Sequence, residues 1–135
     1  MIIDAKDKVL GRVATIAAKK ALQKNKVHII NCKYAAVTGK KEVTFNKYKQ
    51  RRDRGVPNKG PHFPKIPKRI VKRTVKGMLP TTKKRGRNAL NRVKCYNTVP
   101  NNVDGEKLEI EGANIKKSLA PYVTIEEISK YIGAR

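Results

Sequence analysis

Twenty of the 33 lysines and arginines in this 135-residue chain fall between residues 40 and 95, against only Glu42 and Asp53. The local net charge there is +18, compared with +6 over residues 1–39 and −1 over residues 96–135, within a total of +23. Like charges crowded into so short a stretch repel one another, so a compact fold must turn them outward and hold them there by burying apolar side chains opposite. Such a field is best offset by a polyanion, and nucleic acid is the leading candidate.

The apolar material for that core is modest. Hydrophobic residues make up 39% and aromatics 5%, with no Trp, so the core must be mostly aliphatic. The length suits one domain, expected to span residues 1–135. The chain start has no cationic lead and no long apolar run, and no window approaches a membrane span, which points to a cytoplasmic protein without a membrane partner. Cys32 and Cys95 are expected to be buried thiols rather than a disulfide. His28 and His62 have no ligand partner at metal spacing, so neither a metal nor another cofactor is expected.

Ile2-Ile3 and Val27-His28-Ile29-Ile30 read as short parallel strands. Between them Leu10, Val13, Ala14, Ala17 and Ala21 recur at helical spacing, with Asp7 as a candidate N-cap and Lys19, Lys20 and Lys24 near the C-terminal end. Strand, helix and strand in about thirty residues form a right-handed βαβ unit. The turn after the first strand lacks the glycines that let a backbone approach a pyrophosphate, so the unit reads as packing rather than as a nucleotide site.

Gly55, Gly60, Pro57, Pro61 and Pro64 break up the segment 49–65, predicting an extended basic arm over 51–65 that carries Arg51, Arg52, Arg54 and Lys59 and orders against phosphates. The segment 66–79 reads as an amphipathic helix. At about 100° per residue, Ile66, Ile70, Val71, Thr74, Val75 and Met78 fall in one half of the wheel, and Lys65, Lys68, Arg69, Lys72, Arg73 and Lys76 in the other. The basic half has no acidic residue at i+3 or i+4, unlike a salt-bridged helix face. Its apolar half lacks the Trp, Phe or Leu expected of a membrane-surface helix. Gly77 and Pro80 end it. Thr81 or Thr82 is a candidate cap for a second helix, in which Lys83, Lys84, Arg85, Arg87 and Arg92 surround a packing stripe of Gly86, Ala89, Leu90 and Val93, before a return strand at Val93, Cys95 and Tyr96.

The near-neutral extension 97–135 contains an alternating Lys107-Leu108-Glu109-Ile110, expected to be an edge strand, and a capping box at Thr124–Glu127 with a Val123/Ile128 staple. It suits either a clasp on the fold or a contact with another protein.

The block 67–96, PKRIVKRTVKGMLPTTKKRGRNALNRVKCY, resembles the universal large-subunit ribosomal protein L-thirteen family. The resemblance rests on Gly77 to Pro80 closing a basic helix, the pair Arg85-Gly86, and Ala89 to Lys94. Val37-Thr38-Gly39-Lys40 and Leu10-Gly11-Arg12 are also similar, and Gly60-Pro61-His62-Phe63 resembles the archaeal and eukaryotic branch. One departure is Asn97-Thr98, where the family often has a Gly before Pro100. The resemblance implies an α/β fold of three layers, α/β/α, with a small, mostly parallel sheet. It also implies a structural role in the cytoplasmic ribosome, on large-subunit ribosomal RNA, early in assembly and beside neighbouring ribosomal proteins.

The expected function is thus phosphate neutralisation and shape recognition of structured RNA, whose base edges lie in a groove too deep to read. The candidate RNA-binding residues are Arg51, Arg52, Arg54, Lys59, Lys65, Lys68, Arg69, Lys72, Arg73, Lys76, Lys83, Lys84, Arg85, Arg87 and Arg92. A nucleic-acid enzyme would need clustered carboxylates or a nucleophile with a base. Glu42 and Asp53, placed on different expected elements, offer neither, so no small-molecule substrate is expected. A free-standing regulatory nucleic-acid binder is the remaining alternative.

Overall fold

The computed structural model describes residues 1–117 and 119–133, and the last two residues of the C-terminal extension lie outside that range. In chain order the elements are β1 (Ile2–Asp4), α1 (Leu10–Leu22), β2 (Val27–Ile30), β3 (Ala36–Thr38), α2 (Lys41–Asp53), α3 (Pro67–Gly77), α4 (Lys84–Arg92), β4 (Val93–Cys95), β5 (Tyr122–Thr124) and α5 (Ile125–Tyr131). A short 3-10 turn, Cys32–Tyr34, follows β2. The class is α/β, as expected. β1, β2 and β4 form a parallel sheet in that order, with Ile3 opposite Ile29 and Ile29 opposite Cys95. β3 and β5 pair antiparallel beside it.

The βαβ unit forms as its sequence requires. Val13, Ala14, Ala17, Ala18 and Ala21 are buried along α1. Their short side chains let α3 and α4 pack closely against that helix. The sheet contributes Ile3, Val27, Ile29 and Val93, all 0% exposed. The same core receives Ile70, Val71 and Val75 from α3 and Ile125, Ile128 and Ile132 from the C-terminal segment. Each such side chain contributes about 1.5–3 kcal/mol on leaving water.

α5 begins with the expected capping box, in which the Thr124 hydroxyl accepts from the Glu127 N–H and the Glu127 carboxylate accepts from the Thr124 N–H. Two other caps differ from expectation. The N-cap position of α1 is Val9, not Asp7. Asp7 adopts a left-handed backbone, φ 56°, and places its carboxylate 3.3 Å from Lys116 Nζ. α4 starts from Lys83, with no side-chain cap from Thr81 or Thr82. The stretch 107–110 is not a regular strand. It runs beside β1 for one step, where Ile2 N–H donates to the Glu106 carbonyl and Leu108 N–H to the Ile2 carbonyl, both at 2.8 Å.

The largest correction concerns the basic arm. α2 continues to Asp53, so Arg51 and Arg52 lie on its last turn rather than on an extended loop. The breakers Gly55, Pro57, Gly60, Pro61 and Pro64 all come after that point and do not oppose it. Burial of Thr44 and Tyr48, one turn apart, and stacking of Phe45 on Tyr131 with ring centroids 4.4 Å apart, hold α2 to the fold. Beyond Arg54 the chain doubles back. Gly60 N–H donates to the Val56 carbonyl at 2.9 Å. Gly55 has φ +86°, and a Cβ there would stand 2.1 Å from the Gly60 oxygen, so this turn requires glycine. Phe63 then packs against the core, and the buried Ser129 hydroxyl donates to the Lys65 carbonyl.

Candidate nucleic-acid interface

α3 divides as its wheel predicts along its middle, but Ile66 and Met78, at the two ends of the apolar half, are exposed because they flank the helix beyond its contact with the core. Ile70, Val71 and Val75 are at most 1% exposed. Lys65, Lys68, Arg69, Arg73 and Lys76 are exposed, and Lys72 is half-buried. Pro67 occupies the first turn, where its missing N–H costs nothing. The N-cap residue Ile66 has no side-chain acceptor, but Asn97 reaches across from beyond β4 and accepts the Lys68 N–H at 2.9 Å. The segment that departs from the family pattern thus caps the basic helix.

On α4, Lys83, Lys84, Arg85 and Arg87 are exposed, while Gly86 and Ala89 are buried. A Cβ on Gly86 would stand 2.0 Å from the Pro80 carbonyl oxygen, so the close approach is between α4 and the turn that follows α3. Arg92 behaves differently from its neighbours. Its Nη1 donates to the Ala21 carbonyl at 3.0 Å, joining the Lys24 N–H on that acceptor near the end of α1. Its cation also lies at the negative end of that helix dipole.

A third group of cations forms where α2, the turn and α3 meet. Tyr48 and Phe63 pack edge to face with centroids 5.8 Å apart. The Arg51 guanidinium lies over Tyr48 and that of Arg73 over Phe63, each 5.2 Å from the ring. The two aromatic rings therefore orient two arginines. Arg51, Arg54 and Arg73 line one cavity of about 250 Å³, with Pro61 and Phe63 as its apolar wall. Three forked donors around one space match the geometry of phosphate oxygens. Burial pushes the Tyr48 phenol up, and Arg51 works against that shift. Lys59 is exposed on the turn, whereas Arg52 is half-buried and directs its Nε to Asp53 at 3.1 Å.

Among the described residues, the ion pairs are Arg52–Asp53, Lys116–Asp7 and Lys130–Glu126. None of the α3 cations, and none of Lys83, Lys84, Arg85 and Arg87, is in one. Two exposed basic helices and an arginine cluster thus carry their cations without neutralising carboxylates. That pattern, on a sheet begun by a βαβ unit, meets its counterpart in known sequences. The profile of the family described as Ribosomal protein L13 matches residues 1–102.

The chain belongs to the ribosomal protein L13 family.

Archaeal proteins are similar to it over nearly the whole chain. The large ribosomal subunit protein uL13 of Archaeoglobus fulgidus is 42% identical over 99% of this chain and 88% of its own length. That of Haloarcula marismortui is 42% identical over 99% and 91%, and that of Thermoplasma volcanium 39% over 98% and 97%. The chain falls in the archaeal branch of the family, as Gly60 to Phe63 suggested.

Sequence reasoning did not single out α2, which adds further exposed cations. Lys40, Lys41, Lys47 and Lys49 are exposed on or beside it, and Lys41 Nζ stands 5.4 Å from the Phe45 ring centroid. The signal was present in the four-residue spacing of Thr44 and Tyr48, but two buried residues in thirteen are a weak stripe. Glu42 and Asp53 share this helix instead of lying on separate elements. Eleven residues of helix separate them by about 16 Å, too far to hold one metal ion. Among the described residues, no group of three or more His, Cys, Asp and Glu could hold a metal, and no helix is long and apolar enough to cross a membrane.

Proposed function

We propose that this chain, a structural constituent of the large ribosomal subunit, binds and stabilises large-subunit ribosomal RNA through phosphate neutralisation and shape recognition. The observation that carries the reading is the unpaired basic surface of α3 and α4, held in place by burial of Ile70, Val71, Val75 and Ala89. Those helices present Lys68, Arg69, Lys72, Arg73, Lys76, Lys83, Lys84, Arg85 and Arg87 to the RNA backbone. Arg51, Arg54 and Arg73 form a cradle for a phosphate at a sharp backbone turn. Lys59 and Lys65 extend this surface, while Arg52 is engaged by Asp53 beside it and Arg92 by the end of α1.

The family's role is structural, and the chain is not an enzyme. Its place is the cytoplasmic ribosome. A core that closes around only a small sheet and presents cations before any partner arrives suits binding early in assembly. The near-neutral C-terminal third, with exposed Tyr122 and Tyr131, faces neighbouring ribosomal proteins.

The test is a salt titration of binding to large-subunit ribosomal RNA fragments. With roughly 6–10 phosphate contacts, affinity should fall by about 10³–10⁵ between 50 and 200 mM salt on the duplex scale. A flat titration would sink this mechanism. Co-sedimentation with large subunits at high magnesium separates the ribosomal role from that of a free-standing regulatory binder.

A further inference from the structure

Cys32 and Cys95 lie 63 positions apart in sequence, yet the tertiary structure brings them together at one end of the sheet. Cys95 ends β4 in register with Ile29, and the next residue, Tyr96, donates its N–H to the Ile29 carbonyl at 2.8 Å. The Cys32 N–H in turn donates to the Tyr96 carbonyl at 3.0 Å, which pins the 3-10 turn onto the end of β4. The Cys32 Sγ approaches the Ile29 carbonyl at 3.5 Å, on the sheet position that Cys95 neighbours. These contacts leave the two thiols as neighbours at this junction, near enough for each to perturb the other's ionisation.

Their surroundings differ. Cys32 is buried at 0% exposure, while Cys95 is half-buried. Cys95 opens onto a groove of about 290 Å³ that is also lined by Lys68, Arg69, Lys72, Lys94 and Tyr96. A small neutral oxidant can reach Cys95 through this groove, and the cations around it favour a thiolate there.

We propose that Cys32 and Cys95 form a peroxide-driven intramolecular disulfide, in which Cys95 meets the oxidant and Cys32 closes the bridge. The Cys95 thiolate attacks hydrogen peroxide, the O–O bond breaks, and Cys95 becomes a sulfenic acid as hydroxide leaves. Cys32 then gives up its proton, its sulfur attacks the sulfenic sulfur, and the S–O bond breaks to form S–S. Two electrons pass from the thiol pair to the peroxide, and the oxygens leave as two waters.

The electrostatics support this order of events. Contact with Cys32 holds the Cys95 thiol below its ordinary range against the opposing effect of burial, with further help from the Lys72 ammonium. Cys32 is pushed far up by that same contact and by burial. Oxidation of Cys95 to a neutral sulfenic acid removes the negative charge facing Cys32, so the second thiol can ionise once the first has reacted. The bridge would staple the turn after β2 to the end of β4, beside the root of α3, and so set its thiol state under the proposed RNA-binding surface.

The test uses the free full-length chain, treated with hydrogen peroxide, alkylated under denaturing conditions and weighed by intact-mass spectrometry. The expected product is a monomer two hydrogens lighter with no alkylatable thiol, yielding a peptide that joins Cys32 to Cys95. In Cys32→Ser, Cys95 should stop at a sulfenic acid captured by dimedone. In Cys95→Ser, Cys32 should remain reduced. The wild-type measurement stands without either variant. Two alkylated thiols after oxidation, disulfide-linked dimers in place of the monomeric product, or oxidation of Cys32 in the Cys95→Ser chain would each overturn the proposal.

Discussion

Asn97 accepts the backbone N–H of Lys68 through Oδ1 at 2.9 Å, joining the segment after β4 to the first turn of α3 across 29 residues of sequence. The helix that carries most of the proposed interface has no side-chain cap of its own. Its N-terminal orphan donor is satisfied from outside, at a position where the family often has glycine. Asn97→Ala should therefore destabilise the chain by about 1 kcal/mol, the usual cost of losing such an acceptor. Chemical denaturation measures this directly, and an unchanged midpoint would remove the capping role.

Arg92 and its basic neighbours should separate by experiment. Because its guanidinium closes the end of α1 at the Ala21 carbonyl, Arg92→Ala should lower stability by about 1–2 kcal/mol. The salt slope of RNA binding should stay the same. Arg87→Ala should do the reverse, flattening the slope by about one contact while leaving the melting temperature alone. Equal behaviour of the two variants in both assays would contradict the assignment.

Two glycines give opposite expectations for one substitution. Gly86→Ala would place a methyl group 2.0 Å from the Pro80 oxygen, which is backbone and cannot swing aside. It should cost about 1–3 kcal/mol or more. Gly11 is exposed on α1 with nothing within 4 Å of an added Cβ, so Gly11→Ala should stabilise by about 0.5–1 kcal/mol through helix propensity. Thermal melts of the two variants should move in opposite directions.

The division of α3 into two halves predicts a matching division of phenotypes. Arg69→Glu combined with Arg73→Glu should abolish tight RNA binding while the chain still unfolds cooperatively, with at most about 1 kcal/mol lost where Arg73 leaves the Phe63 ring. Ile70→Asp, at a position 1% exposed, should prevent folding because an unpaired carboxylate cannot be buried there. A native melt for Ile70→Asp would refute the wheel.

His28 supplies the pH dependence. Partial burial, the Met1 amino group, Lys94 and Lys26 hold its imidazolium below the ordinary range. The unfolded chain then binds a proton that the folded chain resists, so stability is complete above about pH 6.5 and declines as pH falls through that value toward the lower folded one. The effect is small because the ring is only partly removed from water. His28→Gln should flatten the stability profile between pH 7 and 5, and an identical slope in both chains would remove His28 as its source.

Much of this was legible locally. The alternation of strand and helix over residues 1–30, the two-sided wheel of 66–79 and the Thr124 capping box each depend on side chains within a few positions of one another, where backbone periodicity decides the outcome. α2 was less legible because its buried stripe is little more than Thr44 and Tyr48, and because the prolines that follow seemed to govern a segment they do not reach. The long-range contacts that orient the interface, Asn97 on the Lys68 N–H and Arg73 over the Phe63 ring, were not legible at all.

The sequence by itself determined that this chain builds a small α/β core and turns an unneutralised basic surface outward, since charge, apolar spacing and the Gly77 to Lys94 pattern are properties of the chain order. Only the tertiary structure decided that Arg92 faces Ala21, that Arg51, Arg54 and Arg73 converge, that Asn97 caps α3 and that Cys95 meets Cys32. Those pairings span long loops, and packing of the core selects them because no local propensity of either partner encodes the other's position.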